Sequence, residues 1–439
     1  MLDIKFIRDN KEIVKKAVSD KGLDVDIEKL LKLDEQKRKY QTELQEYSTK
    51  KNLASKEIPK LDVESKKKKI AEMKSVDKQA DTVKADLQKV KSEFNELVIL
   101  VPNIPSKDTP VGPDESANKE IYKWGVLPKF NFDPKSHIEL GKSLDLIDLE
   151  RGVKVSGFRG YFLKNDAVMM HLGVLWLALE KLVKKGFTPT IPPALVKEFA
   201  LVGSGHFPFG KEEIYQIGNP HRLEESQKGS EKDSIYLGGT SEPSLLAYHA
   251  GELLDEKDLP IKLCAISPCF RSEIGSYGKD TKGIYRIHEF MKVEQVVFCK
   301  NNIEESMKWM KAMEDAAKEL LEDLDLPYHI IINSTGDQGA GKYEMHDIET
   351  WMPSRKGYGE THSNSALTDW QARRLNIRYR DKTGKVQYVH TLNNTAIASP
   401  RILIALWENH QQKDGSINIP KPLQKYVGKK VIKNPAAHE

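Results

Sequence analysis

The chain has 439 residues, 39% of them hydrophobic and 31% charged, with a formal net charge of +4. That length allows two or three domains with a sizeable core, and the near-neutral balance confines any nucleic-acid surface to a local patch. A membrane span is excluded, because the long apolar run 168–183 contains His171 and Glu180 and falls short of the roughly 20 apolar residues a bilayer needs.

The opening MLDIKFIRDN mixes charges into its apolar residues, so it is not read as a secretory signal and a cytosolic location is expected. From there Leu30, Leu33, Lys37, Tyr40, Leu44, Tyr47, Lys51, Ala54 and Ile58 recur at alternating steps of three and four, which is a heptad seam. Beyond Pro59 a second seam runs through Ile70, Met73, Val76, Ala80, Val83, Leu87, Val90, Phe94 and Leu97, with a stutter near Val76. Their short connection predicts an antiparallel coiled-coil hairpin, about 45 Å long at about 1.5 Å per residue. Lysines crowd the tip, from Lys50 to Lys78. They are either phosphate contacts or the solvated face of a soluble rod. The VPNIP segment at 101–105, with Pro110 and Pro113 behind it, breaks the helical pattern and places a boundary near residue 108.

Past that boundary a helix is predicted over 168–185, and strands over 261–270, 294–299, 328–332 and 375–379. Helices and strands mix without regular βαβ alternation, so 109–439 is expected to be an α+β domain on a largely antiparallel sheet. Cys264, Cys269 and Cys299 lack the spacing of a disulfide framework or a zinc site and read as buried thiols. GDQGAGK at 336–342 meets the spacing of a P-loop, but Tyr343 stands where a magnesium-ligating hydroxyl belongs.

Two segments carry the chemistry. Phe270-Arg271-Ser272-Glu273 ends one β-rich run, and after the loop GSYGKDTKG the stretch IYRIHEFMKVE (284–294) begins another. Two arginines on adjoining strands suit bidentate binding of a carboxylate or phosphate, and alternation puts Phe290 and Glu294 on one face. Further on, NNTAIASPR (393–401) leads into an apolar helix, with Pro400 suited to its first turn. The helix dipole disfavours a cation at Arg401, so that side chain either binds an anion or points into solvent.

These segments resemble the second and third signature motifs of class II aminoacyl-tRNA synthetases, in the form they take in seryl-tRNA synthetases. The resemblance covers nearly the whole chain. It includes the arm, the VPNIP linker, GFTPTIPP (186–193) as a dimer-forming first motif, Thr240-Ser241-Glu242, ETHSNS (360–365), TDWQARRLNIRYR (368–380) and HTLNNTAIASPR (390–401). It implies a class II antiparallel-sheet catalytic domain at 109–439 behind a tRNA-binding coiled-coil arm at 1–108. The implied activity is ATP-dependent conversion of L-serine to seryl-adenylate and transfer to the 3′ end of tRNA-Ser by a homodimer, with selenocysteine tRNA a further candidate acceptor.

By the same resemblance, Arg271 and Arg401 are the catalytic cations, Arg271 on the serine carboxylate and α-phosphate and Arg401 on the γ-phosphate. Serine falls to Thr240, Ser241, Glu242, Arg271, Glu294, Asn393 and Thr395. ATP falls to Arg271, Ser272, Glu273, Phe290, Glu360, Thr361, His362, Ser363 and Arg401, with Glu273 on the adenine amino group and Phe290 stacked on its ring. Glu360 and Ser363 match the positions that hold Mg²⁺. The sequence departs from the family pattern at His362, Asn364 and Ala366, and at Glu289, which is expected to put an extra negative charge beside the adenine. Two other readings are a homologue that acylates a non-tRNA carrier and a non-catalytic RNA-binding paralogue.

Overall fold

The computed structural model describes residues 1–218, 234–274 and 282–433, so most of the GSYGKDTKG loop lies outside the described residues. The chain divides into two compact units, Met1–Ile104 and Pro105–Glu439. In the first, two short helices precede α1 (Ile27–Glu57) and α2 (Val63–Val98), which pack against each other along their lengths. Most heptad positions are the sheltered ones: Leu30, Leu33 and Ala54 of α1 and Leu87 and Phe94 of α2 are buried, whereas Lys51 is exposed and pairs with Asp77. Lys37 belongs in the seam because its ammonium lies 3.3 Å from the centroid of the Phe94 ring and 3.5 Å from the buried Asp34 carboxylate. Ile70 departs from the expected seam and is 39% exposed, while its neighbour Lys69 is more sheltered and faces Glu57 and Glu72. With Lys69 in place of Ile70, the sheltered positions 69, 73, 76, 80, 83, 87, 90 and 94 keep regular steps of four and three, so the stutter expected near Val76 is absent. The reversal itself is a short 3₁₀ turn, Ile58–Lys60, followed by Asp62, whose carboxylate caps α2 by accepting from the amides of Glu64 and Ser65.

The second unit is built on an eight-stranded sheet of β1 (Lys119–Trp124), β2 (Thr188–Thr190), β3 (Ile261–Phe270), β4 (Glu289–Cys299), β5 (Tyr328–Ile332), β6 (Glu344–Met352), β7 (Gly357–Ala366) and β8 (His390–Ser399). Its spatial order is β1-β5-β6-β7-β8-β4-β3-β2, and every pair is antiparallel except β2 with β3. One face is covered by α3 (Asp166–Lys184), and α4 (Glu242–Ala247) belongs to the other. The covered face also takes α5 (Ile303–Asp323), while α6 (Trp370–Leu375) packs with α4. Leu403 and Leu406 of α7 (Arg401–His410) join the covered face. Its core holds Val293 and Val297 of β4, and the opposite side carries Val296 and Phe298, as period-two alternation requires. Between sheet and α5 runs a polar ladder in which Asn364 donates to the Met310 carbonyl and Asn394 to that of Met313, at 2.9 Å each.

Three expected elements shift. The 375–379 strand is instead the end of α6 and a short strand, Arg378–Arg380, because Asn376 adopts a left-handed φ of 55° that terminates the helix. β4 begins at Glu289, five residues before the predicted start, since its pairing with β3 extends to Phe270. Pro400 stands just before α7 rather than inside its first turn, because β8 stays paired with β4 through Ser399. Cys264, Cys269 and Cys299 are buried free thiols. Among the described residues no helix is long and apolar enough to cross a membrane.

His346 of β6 ties the sheet to α5: its ring nitrogens lie 2.7 Å from Glu314 and 3.2 Å from Glu344. Burial disfavours its charge, but the two carboxylates outweigh this and raise its pKa from 6.5 to about 9. A pKa raised on folding contributes stability that is complete below about pH 6.5 and disappears as pH rises through about 9. Urea unfolding is therefore expected to show stability falling by up to about 3 kcal/mol between pH 6.5 and 9.5, with a flatter profile in His346→Gln.

Candidate active site

The face opposite α3 and α5 opens into a cleft of about 490 Å³, counting its mouth, lined by residues of β4, β7, β8, the start of α7 and the segments flanking β3 and β4. Phe290, Lys292 and Glu294 alternate onto this face from β4. Arg271, one residue past β3, donates from its backbone amide to the His288 carbonyl and from Nε to the Gly239 carbonyl at 3.2 Å. Its guanidinium carbon lies 5.5 Å from the centroid of the Phe290 ring. Arg401 stands at the far end, donating to the backbone oxygen of Glu360 at 3.0 Å and to that of Tyr285 at 3.3 Å, with its guanidinium over the Tyr285 ring. Its Nη1 is 3.5 Å from the Glu360 carboxylate. Glu273, with φ of 54°, is flanked by Arg286 at 3.1 Å and Arg159 at 3.4 Å.

Deeper in, the end of the loop before α4 and the first residue of that helix bring Thr240, Ser241 and Glu242 against β4 and β8, and all three are buried. Glu242 Oε1 accepts from the side-chain amides of Asn393 at 2.9 Å and Gln371 at 2.6 Å. Thr395 pairs across the ladder with Glu294, so the two share a face. Lys292 and Glu294 form a buried ion pair at 2.6 Å. Burial pushes the Glu294 carboxyl up, and Lys292 offsets this only in part. Burial also opposes ionisation of Glu242, but there Lys342, His206, the Gln371 amide and Lys292 together prevail and its pKa falls. The result is a buried polar cluster holding two carboxylates among cations, beside a cleft lined by Arg271 and Arg401.

Comparison with known proteins bears on what this arrangement is. The model of the seryl-tRNA synthetase N-terminal domain matches residues 1–105, and that of the class II tRNA synthetase core domain (G, H, P, S and T) matches 213–410. The serine–tRNA ligase of Deinococcus radiodurans is 42% identical over 428 residues, covering 98% of each chain, and that of Nitrosopumilus maritimus is 36% identical over 98% of this chain and 99% of its own. Among solved structures, the seryl-tRNA synthetase of Pyrococcus horikoshii complexed with ATP has a TM-score of 0.88 at 38% identity, covering 99% of this chain and all of its own. The cytoplasmic serine–tRNA ligase of Naegleria fowleri in complex with AMP has a TM-score of 0.86 at 29% identity over 99% of each chain. The chain belongs to the seryl-tRNA synthetase family.

The departures from the seryl-tRNA synthetase pattern find their explanation in strand geometry. A bulge opposite Ile348 and Glu349 makes Thr361 the extra residue of β7, so Glu360 and Ser363 face the same way although they are three apart. His362, Asn364 and Ala366 alternate to the covered face, where all three are buried. His362 therefore does not line the cleft, contrary to its expected place beside ATP. Ser272 does not line it either: its hydroxyl donates to the Glu212 carbonyl at 2.8 Å and its amide to Glu213. Glu289 lies outside the main cleft and, with Phe290, lines a separate shallow pocket beside Tyr161 and His171, so its carboxylate stands near one edge of the aromatic ring and not among the cleft residues. GDQGAGK is no phosphate cradle, since Gly336 packs against Pro113 and its amide donates to Gly112.

Alternation along β4 carried a signal for Lys292, which lies between Phe290 and Glu294, although it was not among the expected site residues. Arg159, Tyr285 and Gln371 had no such signal, because their partners lie 75 to 129 residues away in the chain. Because breaking one side of a buried ion pair strands the other charge, Lys292→Met is expected to lose about 3–5 kcal/mol in chemical denaturation. The double variant Lys292→Met/Glu294→Met should recover most of that loss.

Proposed function

We propose that the chain activates L-serine with ATP to give seryl-adenylate and pyrophosphate, then transfers the seryl group to the 3′ end of tRNA-Ser. The observation that carries this is the buried cluster of Thr240, Glu242, Lys292, Glu294, Asn393 and Thr395, whose charges and hydroxyls suit a small hydroxylated amino acid, beside a cleft lined by Arg271 and Arg401. Serine enters with its ammonium toward Glu242 and Thr240, beside Ser241, and its hydroxyl toward Glu294, Asn393 and Thr395. Such a site rejects alanine because the missing hydroxyl leaves buried polar groups unpaired.

Arg271, between the pocket and Phe290, reaches both the serine carboxylate and the α-phosphate. Its charge screens the repulsion between the two anions as the carboxylate oxygen attacks phosphorus and pyrophosphate departs. Phe290 offers its face to adenine, and Glu273, its orientation held by Arg286 and Arg159, offers an oxygen to the adenine amino group. Arg401 holds the γ-phosphate, resolving the conflict with the dipole of α7 by supplying it with an anionic partner.

Magnesium fits this chain on the cleft face of β7. Asp347 pairs with Ser363 across the ladder, its Oδ1 is buried without a hydrogen-bond partner, and burial together with the Glu360 charge pushes its carboxyl well above the usual range. Among the described residues no group of three His, Cys, Asp or Glu is arranged to hold a metal alone. Glu360 and Ser363 would hold Mg²⁺, which takes its other ligands from water and phosphate and, when bound, neutralises phosphate charge. In the second step the ribose hydroxyl of tRNA attacks the adenylate carbonyl, the bond from that carbon to the phosphate oxygen breaks, and AMP leaves, its phosphate having taken the hydroxyl proton.

The outer side of α3 exposes Val168, Leu172 and Trp176 at helical spacing, and Ile191, 84% exposed, lies just beyond it. An apolar stripe of that kind suits a homodimer contact. The 1–108 arm binds the long variable arm of tRNA-Ser, its lysines neutralising phosphate.

ATP–pyrophosphate exchange with each of the twenty amino acids tests the activation step. Exchange with serine alone is expected; no exchange from folded protein would favour a non-catalytic paralogue. Glu294→Ala is expected to abolish most serine-dependent exchange while ATP binding by calorimetry stays measurable. Replacing the exposed Lys66, Lys67 and Lys68 by alanine should leave exchange intact and weaken tRNA binding. The slope of log affinity against log salt should fall by roughly 0.7–0.9 for each phosphate that is no longer neutralised, measured by filter binding.

A further inference from the structure

Gln371, the second residue of α6, is fully buried and touches no part of the open cleft. Its amide makes three side-chain hydrogen bonds. Nε2 donates to Glu242 Oε1 at 2.6 Å and to the Ser204 carbonyl at 2.8 Å, and Oε1 accepts from the Thr391 hydroxyl at 2.7 Å. The orientation of the amide is not a free choice, because a carboxylate and a carbonyl can only accept, so the NH₂ group must face them. Thr391 then has to be the donor. Two positions along β8, Asn393 supplies the other amide to the same oxygen of Glu242.

We propose that Gln371, oriented by Thr391, is the positioning residue that fixes Glu242 and so sets the enzyme's affinity for the amino-acid ammonium. The inference rests on the serine-activating reading and deepens it. Two neutral amides converge on one oxygen of Glu242, which locks the carboxylate without cancelling its charge. A lysine or arginine in place of Gln371 would pair with Glu242 and neutralise the charge that an incoming ammonium needs. A glutamate would add a second buried anion. An apolar residue would leave Glu242 held by Asn393 alone and would lose the bond to the Ser204 carbonyl. Only a neutral donor with a fixed acceptor on its far side satisfies all three neighbours.

The test compares KM for serine with KM for ATP in pyrophosphate exchange by the full-length protein. In Gln371→Met, close to glutamine in volume, KM for serine is expected to rise about tenfold to a hundredfold, the value of hydrogen bonds to a charged group, while KM for ATP stays within about twofold. Thr391→Val should show a smaller rise in serine KM, Thr391→Ser should restore it, and the double variant Gln371→Met/Thr391→Val should be no worse than Gln371→Met. A merely structural role would move both KM values together. Folded Gln371→Met with an unchanged serine KM, equal changes in the two KM values, or Thr391→Ser behaving like Thr391→Val would overturn the proposal. Should Gln371→Met not fold, the Thr391 pair decides by the same criteria. The wild-type protein is assayed first: absence of serine-dependent exchange there would sink the serine reading and this inference with it, whereas normal wild-type exchange with unaffected variants would sink only the role of Gln371.

Discussion

Alternation along β4, held in register by β3 on one side and β8 on the other, is the constraint on which the rest of the catalytic unit depends. Val293 and Val297 enter the core beneath α3 and α5, and Phe290, Lys292 and Glu294 stand on the opposite face. A shift of one residue would exchange the two sets, burying two charges under the helices and opening the core to water. The same pairing energy that stabilises the sheet therefore fixes the distances within the site. Glu242 opens α4 and Arg271 lies just past β3, but each is tied to this frame, Glu242 through Asn393 of β8 and Arg271 through the His288 carbonyl just ahead of β4.

Placing charge on such a face has an electrostatic cost, and the molecule offsets it differently at each carboxylate. Glu294 has an ammonium 2.6 Å away, yet burial still raises its pKa. Glu242 is held by neutral amides, with its cations acting from further off, and its pKa falls. Glu273 stands between two guanidiniums. These are three different solutions to one problem, and they divide by task. In the proposed roles, the carboxylate for the serine ammonium keeps its charge and borrows only its orientation, whereas the one for the neutral adenine amino group can be charge-paired without loss.

On β7 the decisive feature is a single extra residue. The bulge at Thr361 turns Glu360 toward the cleft and leaves Ser363 and Asp347 beside it, while His362, Asn364 and Ala366 fall on the covered face. Seen as a string, those three departures from the family pattern cluster around the proposed magnesium ligands. In space they form part of the packing against α5, where Asn364 donates to a helix carbonyl, so they alter the support of the sheet and not the chemistry of the cleft.

How much of this was legible depends on the range of the interactions involved. The arm could be read from its heptads, because contacts between two long helices repeat locally every seven residues, and even Lys37 in the seam is answered by Phe94 directly across it. The α+β class, the 261–270 and 328–332 strands and the motifs around Arg271 and Arg401 were likewise legible, since period-two alternation and turn residues are properties of adjacent positions. Tertiary structure alone decided the rest. It set the start of β4, which depends on pairing with β3; the end of α6, which depends on a left-handed Asn376; and the direction of Ser272 and His362, which a turn and a bulge control. It also brought Gln371 to Glu242 and Arg159 to Glu273 across more than a hundred residues of chain. The sequence by itself determined which side chains were available and the local periods that place them on faces. Which of them meet was decided by sheet register and by burial, because both are properties of the packed whole.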